Sequence, residues 1–215
     1  MGGTVRGGTR GVIGYIAPLI RIADDEEVPM LVAENVTATE IEAVENVWLP
    51  FLLSAWQSRL QAGVSASDLP EHKHWLWTRK ARQYWNKSGY QFFGLTAEGD
   101  TQGLMLVNSL RLCRLPIQIG KPLVYVDYIA TAPWNLRSLT DTPRYRGVGK
   151  VLIEAAVTFS RDCGMGGRIG LHALPQAESF YRDTCGMTDL GEDANEYDLR
   201  YFEMDETEVA AFLKP

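Results

Sequence analysis

The sequence predicts a mixed α/β domain in which helices cover both faces of a central sheet. The chain has 215 residues, of which 46% are hydrophobic and 22% charged, a composition typical of one globular domain. Its apolar residues change from a helical period to strand-like runs and back again. The predicted order is two helices, three strands, a helix, a strand, a helix and a strand. We therefore predict a single domain over residues 12–215, preceded by a flexible leader, residues 1–11, that holds five glycines.

The net charge indicates which partners the protein can bind, and the cysteines indicate its cellular compartment. Lys and Arg total 21 against 27 Asp and Glu, so the net charge is −6 and a generally basic surface for nucleic acid is missing. The three cysteines lie far apart without a CxxC pair, which fits neither a disulfide framework nor a zinc site and predicts reduced thiols in the cytoplasm. The apolar stretch 12–22 is shorter than the roughly 20 residues that span a membrane. We predict a strand or an ordered arm there, and no membrane partner.

The first part of the domain is predicted to be helical. Apolar residues recur at helical spacing over 39–61, and Pro50 interrupts them, which predicts two short helices or one kinked helix. A second helix is predicted over 70–87, where Trp75 and Trp85 lie among basic residues. Such a helix could stack nucleobases, but the spacing favours a helix half-buried against the sheet.

Strands follow from residue 90 onward. Residues 90–96 and 103–112 are apolar runs joined by turn-forming residues, which predicts a hairpin. Residues 123–130 predict a third strand, which Pro133 ends. The later elements are predicted as a helix over 147–162, a strand over 168–172, a helix over 176–184, a strand over 197–203 and a terminal helix that Asp205 and Glu208 would cap.

The turn before the helix at 147–162 has the chemistry of an anion site. A helix N-terminus carries unpaired N–H groups and partial positive charge, and Gly147 and Gly149 leave room for a phosphate to approach the backbone. Neither the P-loop nor the dinucleotide fingerprint is present. A glycine turn that merely starts a helix is the alternative. The segment 134–150 contains one acidic residue, Asp141, and four basic residues, Arg137, Arg144, Arg146 and Lys150.

Two motifs extend this interpretation. Arg144-Tyr145-Arg146-Gly147-Val148-Gly149 matches the acyl-CoA signature [Q/R]xxGx[G/A], and Ala177-Glu178-Ser179-Phe180-Tyr181-Arg182 followed by Cys185-Gly186-Met187 matches a tyrosine-bearing helix. With both motifs in the expected order, the chain resembles the GNAT superfamily of acyl-CoA-dependent N-acetyltransferases. The resemblance implies a central, mostly antiparallel sheet, acetyl-CoA as co-substrate without a metal, and acyl transfer to an amine by direct attack in a ternary complex. Because many such domains pair through their C-terminal strands, it also allows a homodimer.

The resemblance also implies roles for particular residues. The backbone of Ile129, Ala130 and Thr131 would pair with the pantetheine arm. Tyr181 would protonate the departing thiolate, although a core tyrosine is the structural alternative. Ten residues, 134–143, separate Pro133 from the signature where the family usually has a few, so we expect this insertion to shape the acceptor pocket or a lid. The segment expected to bind the cofactor comprises Arg144, Tyr145, Arg146, Gly147, Val148, Gly149 and Lys150, with the pyrophosphate on the amides from 146 to 150.

A general base is expected as well, because an ammonium has no lone pair with which to attack. Asp127 is the first candidate, since a carboxylate in an apolar strand is costly unless it is paired or functional. Alternation would place it on one face with Tyr125 and Ile129. Its alternative is a buried aspartate bonded to backbone or to an arginine. His172, at the end of the next strand, is the second candidate, although a strand-end histidine is often structural.

Other reactive residues have simpler interpretations. His72 and His74 form an HxH pair without a third ligand nearby, so no metal site is predicted. Cys185 has no His or Lys close in sequence and is interpreted as a small buried residue rather than an acyl-carrying nucleophile.

Three functions stay open from the sequence. The first is transfer of an acetyl or other acyl group from CoA to an amine. The second is a non-catalytic CoA-sensing or partner-binding domain of the same fold. The third is a nucleic-acid-associated module that acylates a charged tRNA, which the acidic balance disfavours. The acceptor itself is undetermined, because an antibiotic, a polyamine, a peptide N-terminus, a protein lysine and an aminoacyl-tRNA all carry a suitable amine.

Overall fold

The computed structural model describes residues 17–214, apart from the side chains of Lys73 and His74, so the predicted leader lies outside the described residues. No helix in this described part is both long and apolar enough to cross a membrane. The helices are α1 Ala38–Gln61, α2 Trp77–Tyr84, α3 Val148–Asp162 and α4 Glu206–Phe212. The strands are β1 Ile20–Arg21, β2 Glu26–Glu27, β3 Met30–Glu34, β4 Tyr90–Ala97, β5 Asp100–Leu112, β6 Pro122–Thr131, β7 Tyr145–Arg146, β8 Ile169–Ala173, β9 Thr188–Asp193 and β10 Leu199–Met204.

Seven strands form the main sheet, in the order β3-β4-β5-β6-β8-β10-β9. Every neighbouring pair is antiparallel except β6 and β8, which run parallel and pair only from Val124–Ile169 to Val126–Leu171. Beyond that point β6 continues to Thr131 beside β5 alone. The mostly antiparallel mixed sheet is thus confirmed, and it opens between β6 and β8.

Helices cover both faces of this sheet. One cluster of buried side chains packs α3, including Val151 and Leu152, against the strands. A separate cluster packs α1 and α2 on the other face through Ile41, Trp48 and Trp77. The predicted layering is confirmed, and the opening of the sheet lies between the two layers.

Of the two alternatives predicted for the N-terminal helical region, two helices or one, the structure has one. Residues 38–61 form one helix with Pro50 inside it. Thr37 and Glu40 form a reciprocal capping box at its start. Because Pro50 is exposed, the helix accommodates it at the cost of one backbone bond rather than ending there. The predicted second helix is shorter than expected, because a 3-10 turn at Glu71–His74 precedes α2.

Edge strands were missed by the sequence analysis. Strands β3 and β9 close the two ends of the sheet. In β3 only Val32 is buried, and β9 has no fully buried residue. The apolar alternation that signals a strand is weak where only one neighbour and part of one face are covered.

Two acids of the fold are buried. Glu154 in α3 is buried, and its Oε2 accepts a 2.9 Å hydrogen bond from the Ala17 amide. Chain from the N-terminal side covers this part of α3, which helical periodicity cannot reveal. Glu203 in β10 is fully buried as well, and its carboxylate accepts hydrogen bonds from the Arg114 amide, the Leu115 amide, Gln118 Nε2 and the Tyr201 hydroxyl, all between 2.7 and 3.0 Å.

We expect Glu203→Ala to lower the free energy of unfolding by about 3 kcal/mol, because four donors, two of them buried, lose their acceptor together. Urea unfolding measures the loss, and Glu192→Ala, an exposed acid of β9, is the matched control with little expected change. A Glu203→Ala protein as stable as the control would contradict the structural role.

Candidate active site

The opening between β6 and β8 forms a cavity of about 370 Å³. The first turn of α3 contributes Gly149 to its wall. The insertion 134–143 contributes Asn135 and Leu136. Other walls come from the ends of both strands, the segment before α2 and the tyrosine-bearing motif, including Trp75, Asp127, Tyr128, Ile129, Ala130, Thr131, His172, Phe180 and Tyr181.

One edge of β6 is open inside this cavity. Ile129, Ala130 and Thr131 pair with β5 on one side, and no described strand pairs with them on the other. The Thr131 hydroxyl is buried without a hydrogen-bond partner among the described residues. An extended backbone with a free edge can bind an extended amide-containing chain like an added strand. These are the three residues that the resemblance assigned to pantetheine.

The N-terminus of α3 is open as well. Gly147 is the N-cap residue, with φ of 97°, and no side chain caps the helix. The first helical bond joins the Val151 amide to the Gly147 carbonyl oxygen at 3.0 Å. The amides of Val148, Gly149 and Lys150 therefore have no acceptor within the helix, and the helix dipole adds positive charge there. This end of α3 has the donor set of an anion site.

The residues just before α3 are engaged by the N-terminal segment. Strand β1 pairs with β7, placing Ile20 opposite Arg146. A Cβ on Gly147 would lie 2.6 Å from the Pro18 carbonyl oxygen. Arg146 also pairs with Asp25 at 2.5 Å, in an exposed ion pair that a bound anion could replace. Part of the expected amide set, at Arg146, thus lies in a strand, while the amides from 148 to 150 remain open.

Arg144 and Tyr145 flank this turn. The Arg144 guanidinium lies 4.8 Å from the centre of the Trp134 ring and 3.4 Å from Asp100. The Tyr145 hydroxyl donates a hydrogen bond to Glu98. The insertion is anchored nearby, because the Trp134 indole donates a 2.9 Å hydrogen bond to Gln102.

Asp127 lies at a β-bulge. Leu106 is opposite Tyr128 and Val107 is opposite Val126, so Asp127 has no residue opposite it. The predicted alternation is wrong beyond this point. Tyr128 packs with the α1 and α2 layer, and Ile129 packs with the α3 layer. An extra residue in one strand reverses the alternation that follows it.

The bulge turns the Asp127 carboxylate into the cavity. Its Oδ2 is buried without a hydrogen-bond partner among the described residues. Burial raises the pKa of Asp127 to about 7, while Arg111 lowers it and Glu196 raises it further. A carboxylate with a pKa near neutrality can accept a proton from a reacting amine and release it afterwards.

Tyr181 is buried in the opposite wall. It lies in a π-helical turn, Phe180–Thr184, instead of the regular helix that the sequence predicted, and such turns are frequent at functional sites. None of the hydrogen bonds among the described residues involves its hydroxyl, and burial raises its pKa. The hydroxyl therefore stays protonated at neutral pH and can donate into the cavity.

His172 shares the cavity but has both ring nitrogens engaged. Nδ1 lies 2.6 Å from the Tyr125 hydroxyl and Nε2 lies 3.2 Å from Asp193 Oδ2. Asp193 in turn pairs with Arg114. Burial lowers the pKa of His172, which favours the neutral ring. A histidine held at both nitrogens is less available to a substrate amine than Asp127.

Two other residues that the sequence singled out, His72 and Cys185, can also be placed. His72 lines it and packs against Trp75, and no group of three potential metal ligands occurs in the described part of the chain. Burial raises the pKa of Cys185 to about 12, so its sulfur is a thiol rather than a nucleophilic thiolate. Sequence analysis missed Tyr128 as a cavity residue, because no local pattern distinguishes it from a core position, whereas Asn135 belongs to the insertion that was expected to shape the pocket.

Solved structures with the same architecture can now be compared. The chain is similar to an N-acyl amino acid synthase from uncultured soil microbes, with TM-score 0.54 and 11% identity over 86% of this chain and 94% of that one. A protein assigned to the GNAT acetyltransferase family from Desulfovibrio desulfuricans gives TM-score 0.52 and 13% identity over 83% and 99%. An acetyltransferase from Thermus thermophilus gives 0.50 and 14% over 82% and 97%. No protein-family model and no curated protein sequence matches the chain. The chain shares the fold of these proteins, which confirms the fold that its two motifs implied.

Proposed function

We propose that the protein is an acyl-CoA-dependent N-acyltransferase that transfers an acetyl group from acetyl-CoA to an amine. One observation carries this proposal. The free edge of β6, the open N-terminus of α3 and the unpaired carboxylate of Asp127 all meet at one cavity.

The donor would be held mainly by backbone groups. The pantetheine amides would pair with Ile129, Ala130 and Thr131, whose outer edge is free. The diphosphate would accept hydrogen bonds from the amides of residues 148–150, with Arg144 and Arg146 nearby to balance its charge. No metal is needed for this arrangement, because the helix end and the arginines supply the positive charge.

Asp127 and Tyr181 divide the proton transfers. The neutral amine attacks the thioester carbon, and the new C–N bond forms while the amine proton passes to Asp127, directly or through one water. The C–S bond then breaks, and the Tyr181 hydroxyl gives its proton to the departing thiolate. The proton on Asp127 returns to solvent and a proton is restored to Tyr181, so the site is regenerated. His172 would position Tyr125 beside this route rather than serve as the base.

We expect Tyr181→Phe to lower kcat by about 10- to 100-fold, because the thiolate then leaves without a positioned acid. Affinity for acetyl-CoA should change little, since the ring and its packing are kept. Release of free thiol measures the rate and calorimetry measures the affinity. Tyr197→Phe is the control, because that side chain is 91% exposed. Equal rates in the two variants would exclude Tyr181 as the acid.

Two measurements test the function itself. Calorimetry should detect binding of acetyl-CoA, and a panel of amines with acetyl-CoA should release free thiol with formation of the N-acetyl product. Binding without thiol release from any amine would favour the non-catalytic CoA-sensing domain. Salt-dependent binding to RNA would favour the tRNA module. Cytoplasmic location and a homodimer remain predictions.

A further inference from the structure

A second, smaller cavity of about 120 Å³ lies beside the first. The two share His172, and Tyr125 of the smaller cavity precedes Asp127 by two residues on β6. The side chains that matter for its chemistry are Arg111, Arg114, Tyr125, His172, Glu196 and Tyr201. Its volume suits a small charged group with a short chain rather than a whole oligosaccharide or peptide.

Arg111 is the available cation of this cavity. Arg114 already pairs with Asp193, and Arg21 and Arg144, which line another surface cavity, pair with Asp24 and Asp100. Arg111 pairs with no carboxylate among the described residues. Its guanidinium lies 5.2 Å from the centre of the Tyr125 ring, which orients it.

Arg111 and Glu196 place opposite charges in the smaller cavity. Arg111 lowers the pKa of Asp127 and Glu196 raises it, so both charges act on that carboxylate. A polycation would be attracted by Asp127 and Glu196 but repelled by Arg111. A small molecule with an amine and a carboxylate matches the pattern, with the amine toward Asp127 and the carboxylate toward Arg111.

We propose that the acceptor is an amino-carboxylate of amino-acid size, whose carboxylate is bound by Arg111 in the smaller cavity. This inference rests on the proposed acyl transfer and specifies its substrate class. Arginine suits the role because its planar guanidinium binds a carboxylate through two parallel hydrogen bonds. The carboxylate would hold the acceptor so that its amine points at the thioester beside Asp127.

The test compares α-amino acids with their own amides. Each pair has the same side chain and the same primary amine, and only the carboxylate is replaced by a neutral amide. The amine of the amide is less basic, so a larger fraction is unprotonated at neutral pH and any bias runs against the proposal. We expect kcat/KM for the accepted amino acids to exceed that for their amides by about 10- to 100-fold. Thiol release and the mass of the N-acetyl product are measured for the nineteen pairs with a primary amine, proline being left out, and for simple polyamines.

Variants of Arg111 test whether this residue binds the carboxylate of the acceptor. Arg111→Met should remove the preference by lowering kcat/KM about 10- to 100-fold more for the acid than for the amide. Arg111→Lys should restore part of it. The amide also reports any effect that Arg111 exerts through Asp127. Arg82→Met is the matched control, because Arg82 is exposed on α2 and lines neither cavity.

The outcomes separate this inference from the proposed function. Equal use of acids and amides, a preference for polyamines, or an Arg111→Met variant that keeps the preference for acids would overturn the inference and leave acyl transfer standing. Acetyl-CoA binding without thiol release from any amine would remove both. A preference for acids that Arg111→Met abolishes and Arg82→Met retains would support the assignment.

Discussion

Replacing Asp127 with asparagine is expected to slow acyl transfer by about 100- to 10,000-fold, the range typical of a lost general base. Asparagine keeps the size of the side chain but cannot take a proton from the attacking amine. The affinity for acetyl-CoA should stay within about twofold, because the proposed donor contacts come from other residues. Thiol release with a saturating acceptor measures the rate, and calorimetry measures the affinity.

The pH dependence of the wild type provides a second measurement of the same group. Because the pKa of Asp127 is raised to about 7, the carboxylate is protonated below that pH and cannot act as base. The activity should therefore fall as the pH drops below about 7.

The stability of the protein should change with pH in the opposite sense. A raised pKa in the folded state means that ionisation of this group weakens folding as the pH rises from about 4 to 7. Asp127→Asn should accordingly unfold at a higher temperature than the wild type at pH 8, with the difference shrinking toward pH 4.

Asp183→Asn is the control for both measurements, because Asp183 is exposed and lines neither cavity. A variant at Asp127 that retains the wild-type rate and pH profile would show that the base lies elsewhere. His172→Gln would then be tested next, as the other titratable residue that the sequence singled out.

Gly149→Val is expected to weaken acetyl-CoA binding by at least about 100-fold, which corresponds to roughly 2.7 kcal/mol. Gly149 lines the main cavity in the first turn of α3, where the amides are open. A Cβ there would lie 3.1 Å from Phe180 Cζ, so a branched side chain must occupy the space in front of the amides. Calorimetry with CoA and with acetyl-CoA measures the loss.

Gly149→Ala provides the graded comparison, because a single methyl group requires only a small shift of the Phe180 ring. We expect binding to weaken in the order glycine, alanine, valine, with melting temperatures that stay similar. A valine variant that is folded and binds with wild-type affinity would show that the diphosphate is held somewhere other than this end of α3.

Much of the fold could be predicted from patterns among residues close together in sequence. The helix at 148–162 was predicted to within about one residue at its start, because its apolar period and its flanking glycines are both local signals. The same holds for the capping box of Asp205 and Glu208, which the structure confirms. The acyl-CoA signature is equally local, since one turn of backbone and the first turn of a helix create the open amides.

The sequence did not predict features that depend on contact with a second, distant segment of the chain. The strands β3 and β9 have weak apolar alternation, and they form because each pairs with a neighbouring strand at an edge of the sheet. Glu154 is buried because the chain near Ala17 covers it, which the helical pattern of α3 does not indicate. In each case the information lies in residues far away in sequence.

By itself the sequence determined the class of fold, the position of the helix end proposed to bind the diphosphate, and the two residues, Asp127 and Tyr181, proposed for proton transfer. Tertiary structure alone decided that β6 separates from β8 after Val126, that a bulge turns Asp127 into the resulting cavity, and that Arg111 lies beside it. The physical reason is that helix ends and turns are made by hydrogen bonds between neighbours in the chain. An opening in a sheet depends instead on where distant strands stop pairing.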